Sequence, residues 1–126
     1  ARAEPWAIEE VIARNVRRLA TPAGARSLKN PVPLNEATLA EARHHFADHC
    51  AICHGNDGSG AVTIGKNLYP KAPDMRAGPT QELTDGEIYN IIKNGIRFTG
   101  MPAWGEAHEE DSETWGLVHF IRRLPT

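Results

Sequence analysis

The chain has 126 residues, enough for one domain, and its 40% hydrophobic content, with three Phe, three Trp and two Tyr, is slightly low for a self-sufficient core. Its formal net charge of −2, with both signs mixed along most of the chain, offers no broad basic surface for nucleic acid. There is no run of roughly 18 apolar residues to span a membrane, and the N-terminus Ala1-Arg2-Ala3-Glu4-Pro5 lacks both an initiating Met and a signal-peptide apolar segment, so a processed or truncated product is expected.

Over residues 6–19, Trp6, Ile8, Val11, Ile12, Val16 and Leu19 recur at helical spacing, with Arg14, Arg17 and Arg18 towards the end where cations suit the helix dipole. This predicts an amphipathic helix. Thr21-Pro22-Ala23-Gly24-Ala25 and Asn30-Pro31-Val32-Pro33 follow as proline-rich punctuation, which predicts an extended connector rather than a packed element. Residues 1–33 thus read as an N-terminal helical arm and residues 34–126 as the domain proper. Two accounts of the arm compete: its apolar face favours docking on the domain, and its proline-rich connector permits a stalk from a membrane anchor or partner domain.

A second helix starts at Asn35, a favoured cap, and carries Leu39, Ala42 and Phe46 on one face before reaching Cys50. Residues 55–80 are rich in Gly, Pro and Asn without a sustained period. They predict one long loop, anomalous unless wrapped around a ligand. Thr84-Asp85-Gly86-Glu87 has the form of a capping box, Ile88, Ile91 and Ile92 share a face, and Asn94-Gly95 is a stop. A last helix runs from about Ser112, with Trp115, Val118 and Ile121 on one stripe, Leu117, Phe120 and Leu124 beside it, and Pro125 as terminator. With no strand signal and no internal repeat, the fold class is all-α.

Two cysteines so close form a poor structural cross-link, because the loop they would close is tiny and strained. Cys50-Ala51-Ile52-Cys53-His54 is instead the C-x-x-C-H pattern of c-type haem attachment. One helical turn separates the thiols, so both reach one edge of a macrocycle, and the next residue projects an imidazole towards its centre. A redox dithiol would want a βαβ context, and half a zinc site would want a second Cys/His pair; neither is present in the sequence. His44, His45 and His49, on the helix leading into the motif, read as solvated. So does His108, among Glu106, Glu109, Glu110 and Asp111.

A haem iron held by His leaves its sixth position to be decided, and a Met thioether there favours the reduced state and blocks exogenous ligands. Met101 lies in Gly100-Met101-Pro102-Ala103-Trp104, where Gly permits close backbone approach and Pro stiffens the loop; Met75, in Pro73-Asp74-Met75-Arg76, is the alternative.

In this order of elements the sequence resembles the class I cytochromes c: helix, Cys50-x-x-Cys53-His54, long loop, helix, Gly100-Met101-Pro102 and terminal helix, over roughly residues 34–124. The resemblance implies a cytochrome c fold of three to four helices around one haem c, covalently bound through Cys50 and Cys53, with His54 proximal and Met101 distal. It implies a crossing of first and last helices through Ala42, Phe46, Leu117 and Phe120, slightly wider because Ala42 stands where Gly is more usual. A proline carbonyl accepting from the proximal His is also implied; Pro70 and Pro73 both qualify. Tyr69, Arg97 and Trp104 are candidates to meet the haem propionates. The function implied is one-electron transfer between redox partner proteins rather than enzyme catalysis, as a free carrier or as part of a larger oxidoreductase system. The location implied is periplasmic or otherwise extracytoplasmic, either free or membrane-anchored in the full-length protein. The rival is a haem-based small-molecule sensor or peroxidase-like enzyme with a labile sixth ligand.

Overall fold

The computed structural model describes residues 6–105 and 111–125, and every regular element among them is a helix. His108 and its acidic neighbours Glu106, Glu109 and Glu110 lie outside the described residues.

Three capped helices form the frame. α3 (Glu36–His49) starts at Asn35, whose side-chain oxygen accepts from the Thr38 N–H at 2.8 Å. α7 (Asp85–Asn94) opens on the capping box: the Glu87 N–H donates to Thr84 Oγ1 at 3.2 Å, and the Thr84 N–H donates to Glu87 Oε1 at 3.0 Å. α8 (Ser112–Arg123) is capped by Asp111, which accepts from the Thr114 N–H at 3.1 Å. Each cap satisfies a donor that a helix start leaves without an intrahelical partner, typically stabilising by about 1 kcal/mol.

α3 and α8 pack against each other, burying Ala42 and Phe46 from one side and Leu117, Val118 and Ile121 from the other. Phe46 and Phe120 meet with ring centroids 4.8 Å apart. Gly116 faces Ala42: a Cβ built on it would lie 3.7 Å from the Ala42 methyl. The small residue the crossing needs is thus supplied by α8 where α3 has Ala. On the other side of α8, Trp115 stacks on Tyr89 of α7 at 4.0 Å and 13°, a geometry that adds about 1 kcal/mol to simple burial.

The segment expected as one long loop holds two short helices, α5 (Thr63–Asn67) and α6 (Gly78–Gln81); elements of four or five residues are too short to print a period. Near α6, Arg122 of α8 donates through Nε to Asp85 at 2.9 Å, through a terminal nitrogen to the Gln81 carbonyl at 2.7 Å, and to the Leu83 carbonyl, fastening the end of α8 to the start of α7.

The connector differs from its expectation, because it is packed. α2 (Ala23–Arg26) buries Ala25 against α7, the Asn30 amide donates to the Trp115 carbonyl at 2.9 Å, and His119 Nε2 donates to the Val32 carbonyl at 2.7 Å. The prolines bend this stretch without preventing its polar groups from finding partners on α8.

α1 (Ala7–Ala20) also departs from the reading that its apolar face docks. Ile8, Val11, Ile12, Val16 and Leu19 are each more than half exposed, and no residue of the helix is buried. The opposite, polar face turns towards the domain. The Tyr69 hydroxyl donates to Glu9, and Arg26 donates to the Arg18 carbonyl at 2.9 Å.

Two glycines separate helix propensity from packing. A Cβ at Gly116 would make ordinary contacts at 3.7 and 3.8 Å, whereas one at Gly86 would fall 1.8 Å from the Ala25 carbonyl oxygen. Gly116→Ala should therefore raise stability by about 0.5–1 kcal/mol, and Gly86→Ala should lower it despite the same gain in propensity. Thermal melts of the two variants check this; a Gly86→Ala protein as stable as Gly116→Ala would contradict the α2–α7 contact.

Candidate functional site

α3 runs into the cysteine motif almost without a break. Cys50 ends α3 and starts the single-turn α4 (Ala51–His54), and its carbonyl accepts from the Cys53 and His54 N–H groups at 3.2 and 2.9 Å. This places the thiols one turn apart on a helical segment anchored by Phe46. Gly55, at φ 79°, stops the turn in a conformation that a side chain would strain.

The following loop folds back on the motif through backbone contacts. The Gly60 N–H donates to the His54 carbonyl at 2.6 Å and the Ala72 N–H to the Gly65 carbonyl at 3.0 Å. A Cβ on Gly65 would lie 2.2 Å from the Cys53 carbonyl oxygen, so only glycine allows α5 to seat there. Further along, the Met75 N–H donates to the Gly58 carbonyl at 2.8 Å and the Met75 side chain is 7% exposed within the core cluster. Met75 is packing.

Met101 is held from the other side. The Ile96 N–H donates to the Met101 carbonyl at 3.1 Å, the Met101 N–H to Thr99 Oγ1 at 3.1 Å, and the Trp104 N–H to the Ile92 carbonyl at 3.0 Å, strapping the loop to the end of α7. At Gly100 a Cβ would come within 2.8 Å of Leu68, the close approach expected of that glycine.

These segments enclose a largely apolar cavity of about 420 Å³. Cys50, Cys53, His54 and Met101 all line it, as do Pro70, Pro73 and Trp104; Tyr69 and Arg97 do not. Tyr69 instead bonds Glu9, which pushes its hydroxyl pKa upward, and Arg97 is exposed. Two contributions to the wall had not been anticipated. His49 lies on it, its ring 5.3 Å from that of Trp104, and α1 adds Glu10, Ala13, Arg14 and Arg17. The signal for the arginines was present in the sequence as a polar face opposite an apolar one, but periodicity does not say which face meets the domain.

Electrostatics at the motif suit ligation. Burial lowers the His54 pKa, against the pull of the Pro73 backbone carbonyl, which favours the uncharged imidazole whose lone pair a metal can take. Nδ1 of His54 is buried without a hydrogen bond of good geometry, and of the two candidate prolines only Pro73 acts on the ring through its carbonyl. Burial, and then the neighbouring Cys53, push the Cys50 thiol up to about 11. A reactive redox dithiol needs the reverse shift. Among the described residues no group of three or more His, Cys, Asp or Glu could hold a metal ion between them. One imidazole, one thioether and two thiols on a largely apolar cavity fit a haem: a macrocycle would fill the apolar volume, and an imidazole with a thioether is a ligand pair that haem iron takes.

Residues 37–121 match the family described as cytochrome c oxidase, cbb3-type, subunit III. The chain is also similar to the cbb3-type cytochrome c oxidase subunit CcoP of Cereibacter sphaeroides, 35% identical over 68 residues, which cover 54% of this chain and 21% of that protein. The chain thus matches about a fifth of that relative's length. Among the described residues no helix is long and apolar enough to cross a membrane.

The cavity carries a stability consequence. Its lining is largely apolar, and that surface leaves water only when a group fills the cavity, which couples binding to folding. A haem-free Cys50→Ala, Cys53→Ala chain should therefore lack a cooperative thermal transition by circular dichroism. A sharp, native-like melt of that chain would show that α3, α7 and α8 stand without the group.

Proposed function

The chain belongs to the cbb3-type cytochrome c oxidase subunit III family, and from that premise we propose that residues 34–126 form a cytochrome domain carrying one haem c, joined through Cys50 and Cys53, ligated by His54 and Met101, and passing single electrons between protein partners. The observation that carries this reading is the convergence of the motif and Met101, 47 positions beyond His54, on one apolar cavity. The chain is a c-type cytochrome acting in electron transfer.

When bound, the haem supplies an iron that accepts and returns one electron. The protein's own residues set the conditions. His54 presents an imidazole whose place is set by the α4 turn, and burial disfavours its charged form. Met101 brings a soft thioether on a loop strapped to α7; as a ligand to a bound haem it would favour the ferrous state and compete with exogenous ligands. The buried cluster of Phe46, Val118 and Trp115, against which Cys50 and Met101 pack, would limit reorganisation as charge changes.

The relative's name supports placement in an oxidase complex, whose neighbouring subunits would be the donor or acceptor. An extracytoplasmic location, free or membrane-tethered, is proposed with it. Pro73, rather than Pro70, is the carbonyl proposed to orient His54, and Trp104 the proposed aromatic neighbour of the haem.

Intact mass under denaturing conditions should exceed that of the bare chain by one haem, and acidified organic solvent should not extract the pigment. A bare-chain mass would remove the assignment of Cys50 and Cys53. Met101→Ala should abolish the near-infrared sulfur-to-iron band, lower the midpoint potential and let the ferrous protein bind carbon monoxide. Met75→Ala should keep the band and instead cost about 2–5 kcal/mol of stability, as loss of a buried Met side chain does. Ready carbon monoxide binding by the wild type would favour the sensor or peroxidase-like reading.

A further inference from the structure

α1 meets the domain with the wrong face for hydrophobic docking. A helix held by apolar burial turns its stripe inward, yet here Ile8, Val11, Ile12, Val16 and Leu19 face outward while Arg14 and Arg17 line the cavity. Three positions apart on a helix, these two side chains are neighbours on one face. Arg17 is half-buried and Arg14 exposed, and among the described residues neither guanidinium forms an ion pair. Glu10, one turn away on the same wall, is paired with neither.

A half-buried cation beside an apolar wall loses part of its hydration, which a partner carboxylate can replace. Arginine matches carboxylates in particular, through two parallel N–H donors. The group proposed for this cavity carries two carboxylates, its propionates, and the wall offers two unpaired arginines. The other charged or titratable groups on the wall, apart from the motif itself, are Glu10 of α1, His49 of α3 and Lys71 of the loop. Tyr69, beside cavity-lining Pro70, bonds Glu9 and so ties α1 to the same loop.

We propose that α1 is a polar lid on the haem cavity whose Arg14 and Arg17 pair with the haem propionates, leaving its apolar face to solvent or to a neighbouring surface. The inference rests on the haem reading above. It assigns the propionate contact to the arm rather than to Arg97, which lies off the cavity wall.

The test uses the full haem-bearing chain with Arg14→Gln, Arg17→Gln, the double variant, and the conservative pair Arg14→Lys with Arg17→Lys. Midpoint potential is recorded against pH, alongside mass and optical spectrum. The double Gln variant should keep its haem and its His/Met spectrum but show a lower midpoint near neutral pH, because uncompensated carboxylates favour ferric iron. The inflection from propionate ionisation should move up by about 1–3 pH units, the usual effect of removing a cation beside a carboxyl group. The Lys pair should recover part of both shifts. If the double variant does not accumulate with haem, the single variants should each show a smaller shift in the same direction. Potentials and pH profiles unchanged from wild type, in protein that carries haem, would overturn the lid and leave the haem assignment intact. A wild type without covalent haem would overturn both.

Discussion

Phe46 and Val118, the largest fully buried side chains, lie on α3 and α8, the two helices whose contact dominates the domain. Their close approach depends on small residues: Ala42 and Gly116 face each other, so neither backbone is held away by a bulky side chain. Because α3 leads directly into Cys50, anchoring α3 also anchors the cysteine motif. The position of Cys50, Cys53 and His54 follows from a packing contact made elsewhere on the same helix. Trp115 on Tyr89 then ties α7 to α8, and the end of α7 carries the strap that holds Met101.

The loop between α4 and α7 has little apolar content of its own and is ordered by backbone hydrogen bonds. Gly60 and Gly65 sit where a Cβ would collide with the Ala72 or Cys53 carbonyl oxygen, at 2.4 and 2.2 Å. Close backbone approach lets the chain line a cavity wall without side chains filling the cavity, which suits a segment whose partner is a flat group. The two methionines divide accordingly. Met75 is buried by the loop that folds under it, while Met101 lies on the cavity side of a short strap.

α1 illustrates how an amphipathic pattern can be read correctly and still be placed wrongly. Its helical period is realised over Ala7–Ala20, but the domain surface beside it is the rim of the cavity rather than an apolar groove. The polar face has Tyr69 to meet Glu9 and a cavity to border with Arg14 and Arg17, and no described residue covers the apolar stripe. The arrangement leaves a row of aliphatic side chains on the outside of a helix that is itself held by polar contacts.

Local chemistry was legible in the residues: the caps at Asn35 and Thr84, the helical stripes of the last two helices, the one-turn spacing of Cys50 and Cys53 beside His54, and the Gly and Pro around Met101. Each is a matter of neighbours along the chain, where spacing and side-chain type act directly on backbone geometry. What required the tertiary structure were relations between distant segments. Met101 was separated from Met75 by which of them reached the cavity, and Gly116 became the partner of Ala42 through the crossing of α3 and α8. The connector was found packed because Asn30 and Val32 meet α8, more than eighty positions away. A period describes a helix's two faces but contains nothing about what each will meet. For α1 that depended on a cavity rim assembled from α3, the loop and the Met101 strap, and the arginines face it because the fold put the rim there.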